Sequence, residues 1–259
     1  MAEGHGSFCW YELLTTDPVA AVAFYRKVVG WNETAMGSAE SPYTVLLAGD
    51  RGVGGAMAIP ADAPAATRPH WFGYILVDDV DAAAAKVTKV GGTVLRAPTD
   101  IPTIGHFAVV ADPQGAAFAL FRNLPRDDAP PPAPADAVGQ FSWRELMAAD
   151  GASAFDFYAG QFGWTKTQAH DMGAMGLYQL FTDGAGSGDI GGMMTKPAEI
   201  PAPFWTYYIN VDAIGAAAER LKAAGGTVIN GPHQVPGGQW IVQGLDPQGA
   251  MFALVSPNA

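Results

Sequence analysis

Two glutamates stand where acid/base chemistry is available to them. Glu12 and Glu145 each follow a tryptophan by two positions, in Trp10-Tyr11-Glu12 and Trp143-Arg144-Glu145. Residues two apart on an extended strand share a face, so each carboxylate projects beside an indole. A carboxylate among aromatic rings is disfavoured as an anion, which suits it to act as a general acid or base. The plainer role is structural, with each glutamate accepting a backbone N–H or an arginine such as Arg144 or Arg122. The same parity puts Phe72, Tyr74 and Leu76 on one side of a strand, and Thr206, Tyr208 and Asn210 on one side of another. Together with Trp10 and Trp143, these residues describe an aromatic lining with a few orienting polar groups, as a flat or apolar ligand requires. Their plainer role is to fill a core.

Other chemistry is thin. The histidines His5, His70, His106, His170 and His233 show no repeated spacing. His70 and His106 could approach each other, but their counterparts after the repeat are Phe204 and Trp240, and a metal needs more than two ligands. Cys9 turns to the helix side by parity and reads as a small buried hydrophobe. The GAGSG run at 184–188 has phosphate-loop glycines without a following helix, so a hairpin turn is expected. No G-x-S-x-G elbow and no CxxC pair occurs.

The elements that must position these residues come from a duplication. Residues 8–31, FCWYELLTTDPVAAVAFYRKVVGW, return at 141–164 as FSWRELMAADGASAFDFYAGQFGW. Trp10/Trp143, Asp17/Asp150, Tyr25/Tyr158 and Trp31/Trp164 all share an offset of 133, which marks an internal repeat. Each copy reads as a strand, an Asp-capped helix (with Pro18 at its first position in copy one) and a glycine stop at Gly30 or Gly163. A second strand–helix unit follows in each half, where Trp71, Gly91–Val94 and Asp112–Gly115 match Trp205, Gly225–Val228 and Asp246–Gly249 at an offset of 134. One net residue is therefore gained, and the Gly-rich run at 184–188 is its expected place. Strands are expected over 43–47, 53–59, 71–77, 93–96, 106–111 and 116–122, a helix over 79–90, and an Ala/Pro connector over 60–69. The fold class is α+β: four β-α-β-β-β units in two tandem domains, 5–124 and 139–259. A Pro-rich linker, 125–138, contains PRDDAPPPAP. Residues 1–6 read as a flexible leader, and Trp31 and Trp164 as packing residues.

Composition narrows the function. A formal charge of -11 opposes nucleic-acid binding, which needs clustered Lys and Arg, and an anionic membrane surface. One cysteine excludes an internal disulfide and fits a reducing compartment. No basic segment precedes an apolar core near residue 1, and no apolar run approaches about 20 residues. Cytoplasmic localisation, a small-molecule ligand and no nucleic-acid or membrane partner are expected; self-association is left open.

FYRKVVGW and FYAGQFGW, each beginning seven residues after a cap aspartate, together with helix-GG-T-V and a closing DPQG, resemble the vicinal oxygen chelate superfamily. That superfamily includes glyoxalase I, bleomycin-resistance proteins and extradiol dioxygenases, and the likeness extends to its two-domain single-chain branch. The resemblance implies two glyoxalase-like domains with curved mixed sheets, each cupping a ligand. Metal-using members carry ligands on the first strand, near the start of the fifth and in the last. Those positions fall here on Trp10, Phe72 and Ala119 in one half and on Trp143, Thr206 and Ala253 in the other. Indole, phenyl and methyl groups offer a divalent ion no donors. The expectation is thus no metal and no cofactor, and a metal-independent binder or acid/base enzyme. The alternatives are a lyase or dioxygenase with relocated ligands, and a sequestering, resistance-type protein.

Overall fold

A computed structural model describes residues 4–38, 42–125, 133–186 and 188–259. The first module runs β1 (Phe8–Thr15), α1 (Pro18–Val29), β2 (Asn32–Gly37), β3 (Pro42–Ala48) and β4 (Arg51–Ala58). The second is β5 (His70–Leu76), α2 (Val80–Lys89), β6 (Thr93–Ile101), β7 (Gly105–Ala111) and β8 (Ala117–Asn123). The third is β9 (Phe141–Ala148), α3 (Gly151–Phe162), β10 (Thr165–Asp171), β11 (Leu177–Thr182) and β12 (Gly191–Thr195). The fourth is β13 (Phe204–Asn210), α4 (Ile214–Ala223), β14 (Thr227–Gln234), β15 (Trp240–Leu245) and β16 (Met251–Ser256). Two eight-stranded sheets result, ordered β2-β3-β4-β1-β5-β8-β7-β6 and β10-β11-β12-β9-β13-β16-β15-β14. Both are mixed, because β1 runs parallel to β4, β5 to β8, β9 to β12 and β13 to β16, while the outer pairs are antiparallel. The α+β duplication is as expected.

Local chemistry explains the helices. The Asp17, Asp79 and Asp150 side chains accept from the N–H of Ala20, Ala82 and Ser153 at 3.0, 2.9 and 2.7 Å, satisfying donors that the first turn leaves orphaned. Gly30 and Gly163 end α1 and α3 in the left-handed region, at φ 87° and 75°, where a Cβ would be strained.

Packing divides the chain into two compact units. Among the described residues, one holds 4–9, 72–125 and 143–205, and the other 10–71, 133–142 and 206–259. Each has the same buried centre. In the second unit, the Trp71 indole N–H donates to the Tyr25 oxygen at 2.7 Å, and Tyr25 donates to the Asp246 carboxylate at 3.2 Å. In the first unit, Trp205 donates to Tyr158 at 3.0 Å, and Tyr158 donates to Asp112 at 3.0 Å. The DPQG turns therefore do more than reverse the chain. Each aspartate gathers two backbone N–H groups of its own turn, from Gln114 and Ala116 or Gln248 and Ala250, and anchors a tyrosine brought from the other half of the sequence. Trp31 and Trp164 are core residues, as expected, and their N–H groups donate to the carbonyls of Gly139 and Gly6.

Two expectations change. Residues 4–6 are not a leader: Gly6 donates to the Leu76 carbonyl, accepts from Trp164 and lies so close to Phe162 that a Cβ would come within 2.7 Å of its carbonyl oxygen. The length difference between halves is not one insertion. The turn at 49–50 becomes a loop at 183–190, and the connector at 59–69 shrinks to 196–203; Ser187 of the glycine run lies outside the described residues. Of the Pro-rich segment, 126–132 also lies outside them, while Asn210 holds the carbonyls of Ala135 and Ala137.

Removing the central hydroxyl should expose how much these cores depend on it. Tyr25→Phe or Tyr158→Phe leaves a buried indole N–H and a buried carboxylate short of a partner, so each should lower unfolding free energy by about 1–3 kcal/mol in denaturant titrations. Burial also lifts the Asp112 and Asp246 carboxyls above the ordinary aspartate value, despite the hydrogen bonds that pull them down. The folded chain then holds protons that the unfolded chain has released, so stability should fall as pH rises from the ordinary aspartate value through the raised one. Asp246→Asn should remove its share of that slope.

Candidate functional site

On the first strand, Tyr11 and Trp10 part company. Tyr11 stacks on Phe141 at 3.8 Å between centroids and meets Tyr207, inside the core. Trp10 projects the other way and remains partly exposed. Its indole N–H donates to the Tyr43 oxygen at 2.9 Å, and the Tyr43 hydroxyl donates to Glu12 Oε2 at 3.1 Å. The third module repeats this chain: Trp143 donates to Tyr178 at 2.8 Å, and Tyr178 donates to Glu145 Oε2 at 3.1 Å. Both glutamates are 8% exposed.

The neighbouring strand makes the arrangement sterically allowed. Glu12 pairs with Gly55 in the β1–β4 ladder, and Glu145 with Gly192 in the β9–β12 ladder. A Cβ on Gly55 would clash with the Tyr43 hydroxyl, and one on Gly192 with the Tyr178 ring. The tyrosine rings thus lie directly on glycine backbone, which is why glycine stands inside these strands. Gly52 likewise passes within 3.2 Å of the Trp10 ring, measured from where its Cβ would be.

Electrostatics orient the chain. Burial, and then the nearby Glu12 or Glu145 charge, push the Tyr43 and Tyr178 hydroxyls well above the ordinary tyrosine value. Both tyrosines therefore stay protonated and donate, with the glutamate as acceptor. The indole N–H is already satisfied, so what Trp10 and Trp143 have left to offer a visitor is a π-face.

The remaining candidates separate. Phe72 and Tyr74 are buried and stacked, 5.3 Å between centroids, and Tyr74 also meets Phe107 and Phe121. Tyr208 accepts from Gln243 at 2.7 Å, and the buried Thr206 hydroxyl has no hydrogen-bond partner. Asn210 departs from its expected role. Its amide donates to Ala135 and Ala137 and accepts from Ser142, so its polar atoms fasten residues 135–142 instead of meeting a ligand. His106 lies between Asp100 and Asp81, at 2.6 and 3.1 Å, and His70 Nδ1 lies 2.7 Å from the Arg68 carbonyl, so both rings have protein partners. Burial pushes the Cys9 thiol up to about 12, as befits an inert packing residue. Sequence reasoning missed Tyr43 and Tyr178, whose signal was a Tyr upstream of Gly-Gly-x-Met in both halves: Gly54–Met57 and Gly191–Met194.

A family model described as Glyoxalase/Bleomycin resistance protein/Dioxygenase superfamily matches residues 7–120 and 140–254. The anthracycline biosynthesis protein DnrV of Streptomyces peucetius is 30% identical over 268 residues, covering 96% of this chain and 93% of DnrV. CFP32 of Mycobacterium tuberculosis, which carries a provisional glyoxylase name, is 46% identical over 122 residues; that match spans 47% of this chain and 46% of CFP32, about half of each. Among solved structures, an Mn(II)-bound glyoxalase from Novosphingobium aromaticivorans superposes with TM-score 0.68 at 17% identity, covering 98% of this chain and 83% of the other. The 2,3-dioxygenase LapB of Pseudomonas sp. KL28 gives 0.68 at 14%, covering 100% and 94%. At these identities the two structures show a shared fold.

A metal ion of the glyoxalase kind does not fit the residues present. Ala119 and Ala253 are fully buried methyl groups opposite Tyr74 and Tyr208, and the only oxygen at the positions the resemblance marks is the Thr206 hydroxyl. No group of three or more His, Cys, Asp or Glu among the described residues could hold an ion.

Filling the space under one tyrosine tests the local geometry. Gly55→Ala or Gly192→Ala should expel the ring, lower stability by about 1–3 kcal/mol and change tryptophan emission. Gly160→Ala, in α3 with no atom within 4 Å of its new methyl, should be neutral or stabilising by up to about 1 kcal/mol.

Proposed function

The chain belongs to the Glyoxalase/Bleomycin resistance protein/Dioxygenase superfamily, and from that premise we propose that it binds a small apolar or aromatic metabolite against Trp10 and Trp143, without the metal ion used elsewhere in the family. The observation that carries this reading is the repeated Trp–Tyr–Glu chain, which satisfies the indole N–H from within and leaves an aromatic face where a metal ligand would otherwise stand. Relatives named for anthracycline biosynthesis align over 96% of the chain, which makes a planar fused-ring compound the first ligand chemistry to try. The net charge of -11 supports a small-molecule ligand in preference to nucleic acid or an anionic membrane, and the single cysteine supports a reducing, cytoplasmic compartment.

A second reading, acid/base turnover of that ligand, is favoured by the buried carboxylates themselves. Tyr43 and Tyr178 donate to the carboxylates of Glu12 and Glu145, fixing each on the strand face it shares with an indole. So fixed, a carboxylate is placed to accept a ligand proton.

Titration with an anthracycline, read by tryptophan quenching, tests the binding. Trp10→Ala or Trp143→Ala should weaken it about tenfold or more; undiminished binding in both variants would contradict the reading. Glu12→Gln and Glu145→Gln should keep binding while any turnover falls by about 10²–10⁴. A protein that only sequesters its ligand would show no turnover in either form.

A further inference from the structure

The two halves carry the same Trp–Tyr–Glu chain but differ on their second modules. In the fourth module, Asn230, Gln243, Ala253 and Tyr208 fall in one row across β14, β15, β16 and β13, because Asn230 pairs with Gln243, Gln243 with Ala253 and Ala253 with Tyr208. Asn230 Nδ2 donates to Gln243 Oε1 at 3.0 Å, and Gln243 Nε2 donates across the small Ala253 to the Tyr208 oxygen at 2.7 Å. Two residues before Tyr208 on β13, and so on its face, is Thr206, 1% exposed, with its hydroxyl unpartnered. The second module lacks this row. The counterparts of Thr206, Gln243 and Asn230 at the repeat offset of 134 are Phe72, Val109 and Arg96. Phe72 stacks on Tyr74, and the Arg96 guanidinium lies over Phe107 at 5.2 Å.

A buried hydroxyl without a partner is destabilising unless something meets it. We propose that the fourth-module face takes the oxygen-bearing end of a neutral aromatic ligand, a phenol or aryl ketone, with Thr206 as its hydrogen-bond partner and as the residue that sets specificity. The inference rests on the aromatic-binding reading above. Neutrality follows from the row itself, which is built of amides and hydroxyls with no charged side chain. The Thr206 oxygen is below the surface of the free protein, so a ligand reaches it only by displacing its cover. Association should therefore be slower than for a preformed site.

Calorimetry of the full chain with 1-naphthol and with naphthalene, which share a ring system and differ by one hydroxyl, tests this. The unaltered protein should hold 1-naphthol about tenfold more tightly than naphthalene. Thr206→Val, close in shape and free of the hydroxyl, should bring the two affinities together, and Thr206→Ser should keep them apart. A preference that survives in both Thr206→Val and Thr206→Ala, or no preference in the unaltered protein, overturns the inference and leaves aromatic binding intact. No binding of either compound overturns the aromatic-binding reading as well.

Discussion

An indole N–H donating to a tyrosine oxygen, whose own proton goes to a carboxylate, is made four times among the described residues. Two copies, Trp71–Tyr25–Asp246 and Trp205–Tyr158–Asp112, lie at the centres of the compact units. Two others, Trp10–Tyr43–Glu12 and Trp143–Tyr178–Glu145, lie on the opposite side of the opening strands. Each satisfies three polar groups in series, and in the two central copies all three are buried, which is how a polar network can remain in low-dielectric surroundings at modest cost. Remove the middle hydroxyl and both ends lose a partner. The rest of the structure is arranged around that constraint: glycines at 55 and 192 to admit the rings, DPQG turns to present the aspartates, and small residues where the rings pass.

Much of this was legible in the residues. The offset of 133 between Trp10/Trp143 and Tyr25/Tyr158 fixed the duplication, and Asp17 and Asp150 with Gly30 and Gly163 fixed the helices, because caps and left-handed stops are local chemistry. The side of the strand on which Trp10 and Glu12 stand followed from the two-residue period. What the residues do with their polar atoms did not follow. Tyr43 reaches Glu12 across a register set by β3 and β4, and Tyr25 reaches Asp246 over a separation of 221 residues; neither is a pattern within a window. Asn210 illustrates the limit. Its position on β13 suggested an orienting group for a ligand, yet tertiary packing gave its amide to residues 135, 137 and 142.

Duplication also freed the halves to diverge. Both keep the aromatic chain beside the opening strand, while the second modules part into an aromatic stack around Phe72 and Tyr74 and a polar row ending at Thr206. One fold carries many chemistries, and the residues on its faces decide among them.

The most direct measurement is a double-mutant cycle between Tyr43→Phe and Glu12→Gln, read as unfolding free energy. If the hydroxyl and the carboxylate act as one unit, the double variant should lose less than the sum of the single losses, with a coupling of about 1 kcal/mol or more. Strictly additive losses would mean that the two groups are neighbours and nothing further, and would contradict the account.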